Sequence, residues 1–206
     1  MSVLQIESVG EPFTNPELSE PAFDVLKRAD AMGLLEGKVR RLTRLDRKSW
    51  DEILRILQKA GFATALPQAR AASVGDLAQA VRAMNQALED SPSPRHEWKR
   101  LPEVLGDDLL AELLGGLSPS SLRRYEAGVR PTPDDVAQRL HLLALVTADL
   151  AGAYNEAGIR QWFQRTRTQL DHRSPRQLLR RGWRADDPGP ARVRDLARSL
   201  TASPAT

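Results

Sequence analysis

The sequence contains no cysteine. Disulfides and thiolate metal sites are therefore excluded, and a reducing, cytoplasmic setting is expected. No apolar run approaches the roughly 20 residues that span a bilayer, and no membrane association is expected. The start Met1-Ser-Val-Leu-Gln-Ile-Glu7 lacks the basic segment and apolar stretch of an export signal. Histidine is scarce: His96, His141 and His172 lie in different segments, without metal-ligand spacing. His141 falls in a mostly apolar stretch, where a hydrogen-bonded structural role is expected. Gly33-Leu-Leu-Glu-Gly37 and Gly115-Gly116 lack the lysine of a phosphate loop. Neither Ser118 nor Ser174 stands in a Gly-x-Ser-x-Gly frame. Neither catalysis, nor a cofactor, nor a metal is expected.

What is present suffices for one large or two small domains: 206 residues, 41% of them apolar and 28% charged. Charge is unevenly placed. From Gln161 onward there are 10 arginines and 4 aspartates, a net of +6, whereas the whole chain carries +3, leaving −3 for the preceding residues. A basic C-terminal quarter favours an electrostatically guided contact there.

Two adjoining segments carry the strongest local signals. Leu109, Leu110, Leu113 and Leu114 share one helical face. Gly115-Gly116 ends that helix, because glycine takes the left-handed conformation without steric penalty. Ser118 is suited to cap a new helix and Pro119 to occupy its first position. In this short helix, closed at Gly128, Leu122 and Tyr125 face inward, while Ser120, Ser121, Arg123 and Arg124 form the outer face. Thr132-Pro-Asp-Asp135 opens a longer helix bearing Val136, Leu140, Leu143, Val146 and Leu150. The arrangement reads as a helix-turn-helix, and a plain helical hairpin with a solvated Arg-Arg pair is the simpler alternative.

The run Leu117-Ser-Pro-Ser-Ser-Leu-Arg-Arg-Tyr-Glu-Ala-Gly-Val-Arg-Pro-Thr-Pro133 resembles the second half of an Xre-type DNA-binding domain. The resemblance implies that the short helix enters the major groove, with Ser118, Ser120, Arg123 and Arg124 facing operator DNA and Ser121 as a further candidate DNA-binding residue. The outer positions are mostly serine, which favours phosphate contact over base readout.

Further on, Ser174-Pro175-Arg176-Gln177 has the form of a capping box, Leu178 and Leu179 supply its apolar side, and Gly182 stops it. Beyond Pro188-Gly-Pro190, the positions Val193, Leu196, Ala197 and Leu200 form a helical stripe. Trp162 and Phe163 are expected as a core plug between helices. Gly158, Trp162, Phe163, Leu170, Ser174, Pro175, Leu178, Leu179 and Gly182 together resemble the C-terminal toxin-binding domain of the Xre/MbcA/ParS-type antitoxins. The combined resemblance covers roughly residues 98–200. It implies a cognate toxin as partner, commonly of the NAD-degrading RES-domain group, blocked by direct binding. Arg165, Arg167, Arg173, Arg176, Arg180 and Arg181 are the candidate toxin-binding residues, with a solvated basic face as the alternative.

Before residue 90 three helices are expected. One runs from Pro21 to about Met32. Another is opened by a capping box at Ser49-Trp-Asp-Glu52, and a third by Ser73, with Val74, Leu77, Val81, Met84 and Leu88 as its stripe. Ser91 to Glu97 has the composition of a linker. The expected fold is all-α, with Val3 to Val9 the one short strand. The expected organisation is a helical region of unassigned role at 1–97, a helix-turn-helix domain at 98–153, and a toxin-binding domain with a flexible tail at 154–206. The expected function is a type II antitoxin that binds its toxin and represses its own operon. A stand-alone helix-turn-helix regulator, or an interaction protein without DNA binding, are the alternatives. A homodimer is expected, since two half-sites match a two-fold axis, with the Val74–Leu88 stripe or the 133–152 helix as its seam.

Overall fold

A computed structural model describes residues 4–62, 73–180 and 182–202. The expectations for Val3, for Arg181 and for residues 203–206 of the tail lie outside them. The fold is all-α. The chain divides into two compact units, Met1–Asp30 with Leu34–Ser91, and Ala31–Gly33 with Pro92–Thr206. Among the described residues no helix is long and apolar enough to cross a membrane.

The first unit holds α1 (Pro16–Ala31), α2 (Arg47–Lys59) and α3 (Val74–Asp90). Two short strands accompany them, β1 (Gln5–Ile6) and β2 (Arg41–Leu42). They pair in parallel, Gln5 opposite Arg41 and Ile6 opposite Leu42. α1 begins five residues before the expected Pro21, because the Asn15 side chain accepts from Glu17 N–H at 3.0 Å and starts the helix earlier. Pro21 is carried inside the helix. α2 likewise starts ahead of Ser49. Asp46 is its N-cap, and Ser49, the expected cap, is the third helical residue, whose hydroxyl reaches back to Asp46 N–H at 2.9 Å. Ser73 caps α3, as expected, and Asp76 completes a capping box with it. Phe13, Leu26, Trp50, Ile53, Leu57, Val81, Met84 and Leu88 are buried together in this unit, with the Phe13 and Trp50 rings 5.2 Å apart. Of the α3 stripe, Val81, Met84 and Leu88 are thus buried inside one protomer, whereas Val74 and Leu77 are half-buried.

The second unit holds α4 (Pro94–Leu105), α5 (Asp107–Leu113), α6 (Pro119–Glu126), α7 (Asp134–Leu150), α8 (Glu156–Gln164), α9 (Pro175–Leu178) and α10 (Pro188–Ala202). The stretch expected as a linker to residue 97 supplies the first turn of α4. Pro94 suits the first helical position, and Glu97 turns back to accept from Ser93 N–H at 3.2 Å. That same Glu97 oxygen meets His141 Nδ1 of α7 at 2.7 Å in the core, so His141 is a hydrogen-bonded interior residue.

Residues 98–153 and 154–206, expected as two domains, share one core. α10 lies along α7 through buried Val193 and Ala197. At its edge Arg194 and Arg198 approach Asp149 at 3.6 and 3.7 Å. Arg160 of α8 donates to Val104 O at 2.9 Å, satisfying a carbonyl at the end of α4. Trp162 and Phe163 plug this core edge to face, 5.3 Å between centroids. α7 is buried along most of its length. α7 therefore leaves little apolar surface for the expected dimer seam, while the start of the α3 stripe, at Val74 and Leu77, stays partly accessible.

Candidate nucleic-acid interface

α5 and α6 meet at Gly115-Gly116-Leu117. Both glycines adopt left-handed φ, +98° and +81°, which folds the chain back so that Gly116 N–H donates to Ala111 O at 2.9 Å. The remaining carbonyls at the end of α5 are satisfied from afar. Trp183 Nε1 donates to Leu113 O at 2.8 Å, and Arg139 Nη1 to Leu114 O at 3.3 Å. Arg139 also donates to Trp183 O at 2.8 Å and lies over its ring. Residues beyond Gly182 thus brace the turn.

Ser118 caps α6 by accepting from Ser121 N–H at 3.2 Å, with Pro119 in the first position. Leu122 and Tyr125 are buried. Tyr125 stacks on Trp98 of α4, centroids 5.7 Å apart and planes at 19°. Trp98 Nε1 in turn donates to Thr132 Oγ1 at 2.9 Å. α6 is therefore fixed from the core side and through the loop that follows it. At about 100° per residue, Ser120, Arg123 and Arg124 project away from Leu122 and Tyr125, and all three are exposed. Ser121 sits half-buried at the edge. The Ser118 hydroxyl also contacts those of Ser120 at 3.1 Å and Ser121 at 3.0 Å, so its first duty is to start the helix. Neither Arg123 nor Arg124 has a side-chain partner among the described residues.

Two members of this surface escaped sequence reasoning. Gly128, at φ +66°, closes α6. After it Val129 is 76% exposed, and the Arg130 guanidinium lies 5.5 Å from the Tyr125 centroid. The only local signal was an arginine two residues beyond the helix-closing Gly128. The face joins three cations, one exposed apolar side chain and small hydroxyls, against the single carboxylate of Glu126. Exposed Asp107 and Asp108 start α5, and Asp134 and Asp135 start α7. They stabilise those helix ends through the dipole and make their surroundings acidic, so the cationic part of this surface is limited to α6 and the loop after it.

The C-terminal arginines are engaged differently from one another. Arg165 donates to Gln161 Oε1 at 3.2 Å. Arg167 is half-buried with its guanidinium 5.6 Å from the Trp162 centroid. Arg173 lies 3.7 Å from Asp171. Arg176 Nε donates to Glu112 Oε2 of α5 at 2.8 Å. Arg180 is exposed in a cleft of about 560 Å³ shared with Asp108, Glu112, Leu117 and Pro119. Ser120, Arg123 and Arg124 are thus brought onto one face, and Arg176 and Arg180 are drawn to α5 and the α5–α6 turn. Among the described residues no group of three His, Asp or Glu is gathered that could hold a metal ion.

The hydrogen bond from Arg176 holds the Glu112 carboxyl below its ordinary value, and the charges of Arg176 and Arg180 act in the same direction. A carboxyl depressed in the folded state adds stability at neutral pH that is lost as pH falls through the ordinary glutamate range and below. Thermal melts from neutral pH to pH 3 should show that loss, and Glu112→Gln should flatten it. The pair is partly exposed, so the effect is small and screened by salt. An unchanged acid limb in the glutamine variant would remove Glu112 from the account.

Comparison with protein-family models, with curated proteins and with solved structures gave no match.

Proposed function

We propose that this chain binds DNA through α6 and serves as an antitoxin, holding a cognate toxin protein through its C-terminal segment and repressing its own operon. One observation carries the DNA half: Arg123 and Arg124 stand unpaired on a rigid, capped helix whose opposite side is locked by Trp98. Cations kept free on a preorganised helix suit phosphate and base edges, because no internal partner competes for them. The antitoxin half, with a RES-type enzyme as the expected toxin, is supported by the likeness of residues 158–182 to antitoxin C-terminal domains. A stand-alone regulator is the second reading. It is favoured by the core that α8 and α10 share with α4 and α7, since a segment built into that core has a structural duty of its own.

Co-expression with the product of the adjacent gene separates the two. Growth rescue and co-purification are expected, and both should fall when the exposed Arg165 and Arg180 become glutamate. Deleting residues 158–206 is unsuitable, because removing α10 uncovers α7 and unfolds the unit. Absence of both rescue and co-purification by the wild-type chain would leave the stand-alone regulator.

A further inference from the structure

Residues 38–59 contain eight lysines and arginines against three acids, a net of +5, whereas residues 1–36 carry seven acids against two bases, a net of −5. This second concentration of positive charge lies in the first unit, which the proposed function leaves without a role. It is organised by α2. Trp50, Ile53, Leu54 and Leu57 turn into the core. Lys48, Arg55 and Lys59, seven and four residues apart, share the opposite face, and all three are exposed. Arg44, also exposed, precedes the helix. Lys48, Arg55 and Lys59 have no ion pair among the described residues, and Arg44 acts on the Asp46 carboxylate without pairing to it closely. Two carboxylates accompany the stripe: Glu52, which is exposed, and Asp51, partly exposed and 3.4 Å from Arg47. Arg47, Lys48, Asp51 and Arg55 line a shallow cleft of about 450 Å³.

We propose that this face of α2 is a polyanion-binding surface fitted to the phosphate backbone of duplex DNA, distinct from α6. At 1.5 Å per residue Lys48 and Lys59 are about 16 Å apart along the helix. That length spans about four or five phosphates of one strand at roughly 3.4 Å each along the duplex axis. Arginine forks and lysine ammonium groups meet phosphate without needing an apolar centre. A protein partner does need one, since interface energy concentrates in buried aromatic and aliphatic anchors. Among the described residues the large apolar side chains that are exposed are Val9 and Val129, neither on α2. A membrane surface is disfavoured for a related reason: the apolar side of α2 is already buried, so nothing remains to insert. Contacts of this kind carry no sequence preference and add affinity and association rate to whatever α6 reads.

The test uses the full-length chain and a mixed-sequence duplex, with binding followed by fluorescence anisotropy over a salt series. Replacing Lys48, Arg55 and Lys59 together by alanine should weaken binding at least tenfold and reduce the log–log salt slope by about 2.7, about 0.9 for each neutralised phosphate. Lys48→Arg with Lys59→Arg should preserve both. The stripe is exposed, so circular dichroism and melting should be unchanged. The same loss should appear in an Arg123→Ala/Arg124→Ala background. If the stripe variant binds as wild type while the α6 variant does not, this inference fails and the proposed function stands. The reverse pattern keeps the inference and removes the α6 assignment. Anionic phosphatidylserine vesicles or polyglutamate binding the stripe more tightly than the duplex would overturn the inference in favour of a lipid or acidic protein partner.

Discussion

Replacing Arg123 and Arg124 by alanine is expected to reduce affinity for operator DNA by at least tenfold, and by more if either arginine reaches a base edge. A lost arginine contact to a base costs about 1–3 kcal/mol, and a lost phosphate contact lowers the salt slope by about 0.9. The double variant should therefore bind with a slope shallower by about 1.8 per bound protomer. Folding should be unaffected, because both side chains are exposed and without partners among the described residues. Gel-shift titrations at several salt concentrations measure both quantities. Wild-type affinity and slope in the double variant would take α6 out of the DNA interface.

Trp98→Ala is expected to be the most damaging single substitution near this surface. The indole is 1% exposed, stacks on Tyr125 and donates to Thr132. Truncating a buried tryptophan costs about 3–5 kcal/mol, a large share of the roughly 5–15 kcal/mol that holds a typical domain together. Chemical denaturation should register that loss. DNA binding should weaken as well, even at temperatures where the variant stays folded, because α6 loses the ring that sets its position. Trp98→Phe, which keeps the stacking and drops the bond to Thr132, should recover most of the stability. A Trp98→Ala protein of wild-type stability would mean that α6 is held by something else.

Much of the second unit was legible because its signals are local. The Ser118-Pro119 start, the Leu122–Tyr125 spacing, the Ser174–Gln177 box and the paired glycines at 115 and 116 each depend on residues within four positions of one another, and the structure repeats them. Local chemistry also misled where two residues offered the same service. Asp46 and Ser49 both suit an N-cap, and the earlier one prevailed with Ser49 as its reciprocal partner. Ser91 to Glu97 has linker composition, yet Glu97 finds both Ser93 N–H and His141, and the pairing with His141 spans 44 positions. Contacts at such distances were not legible. Trp183 against Leu113, Arg176 against Glu112 and β1 against β2 leave no periodic mark in the chain. On the α6 surface Arg123 and Arg124 were readable from helical phase, whereas Val129 and Arg130 depend on how the loop after Gly128 is held.

The packing of α10 along α7 and the bracing of the α5–α6 turn by Trp183 have a thermodynamic consequence. Helices that share one core open together, so the free energy of exposing α10 contains the free energy of exposing α6. A ligand present at a hundred times its Kd adds about 2.7 kcal/mol to the unfolding of whatever unit it holds. DNA seated on α6 would therefore stiffen α10 without touching it. By reciprocity a protein gripping the C-terminal helices would deepen the well in which α6 sits. The two ends of this unit are coupled through its stability alone, before any change of shape is invoked.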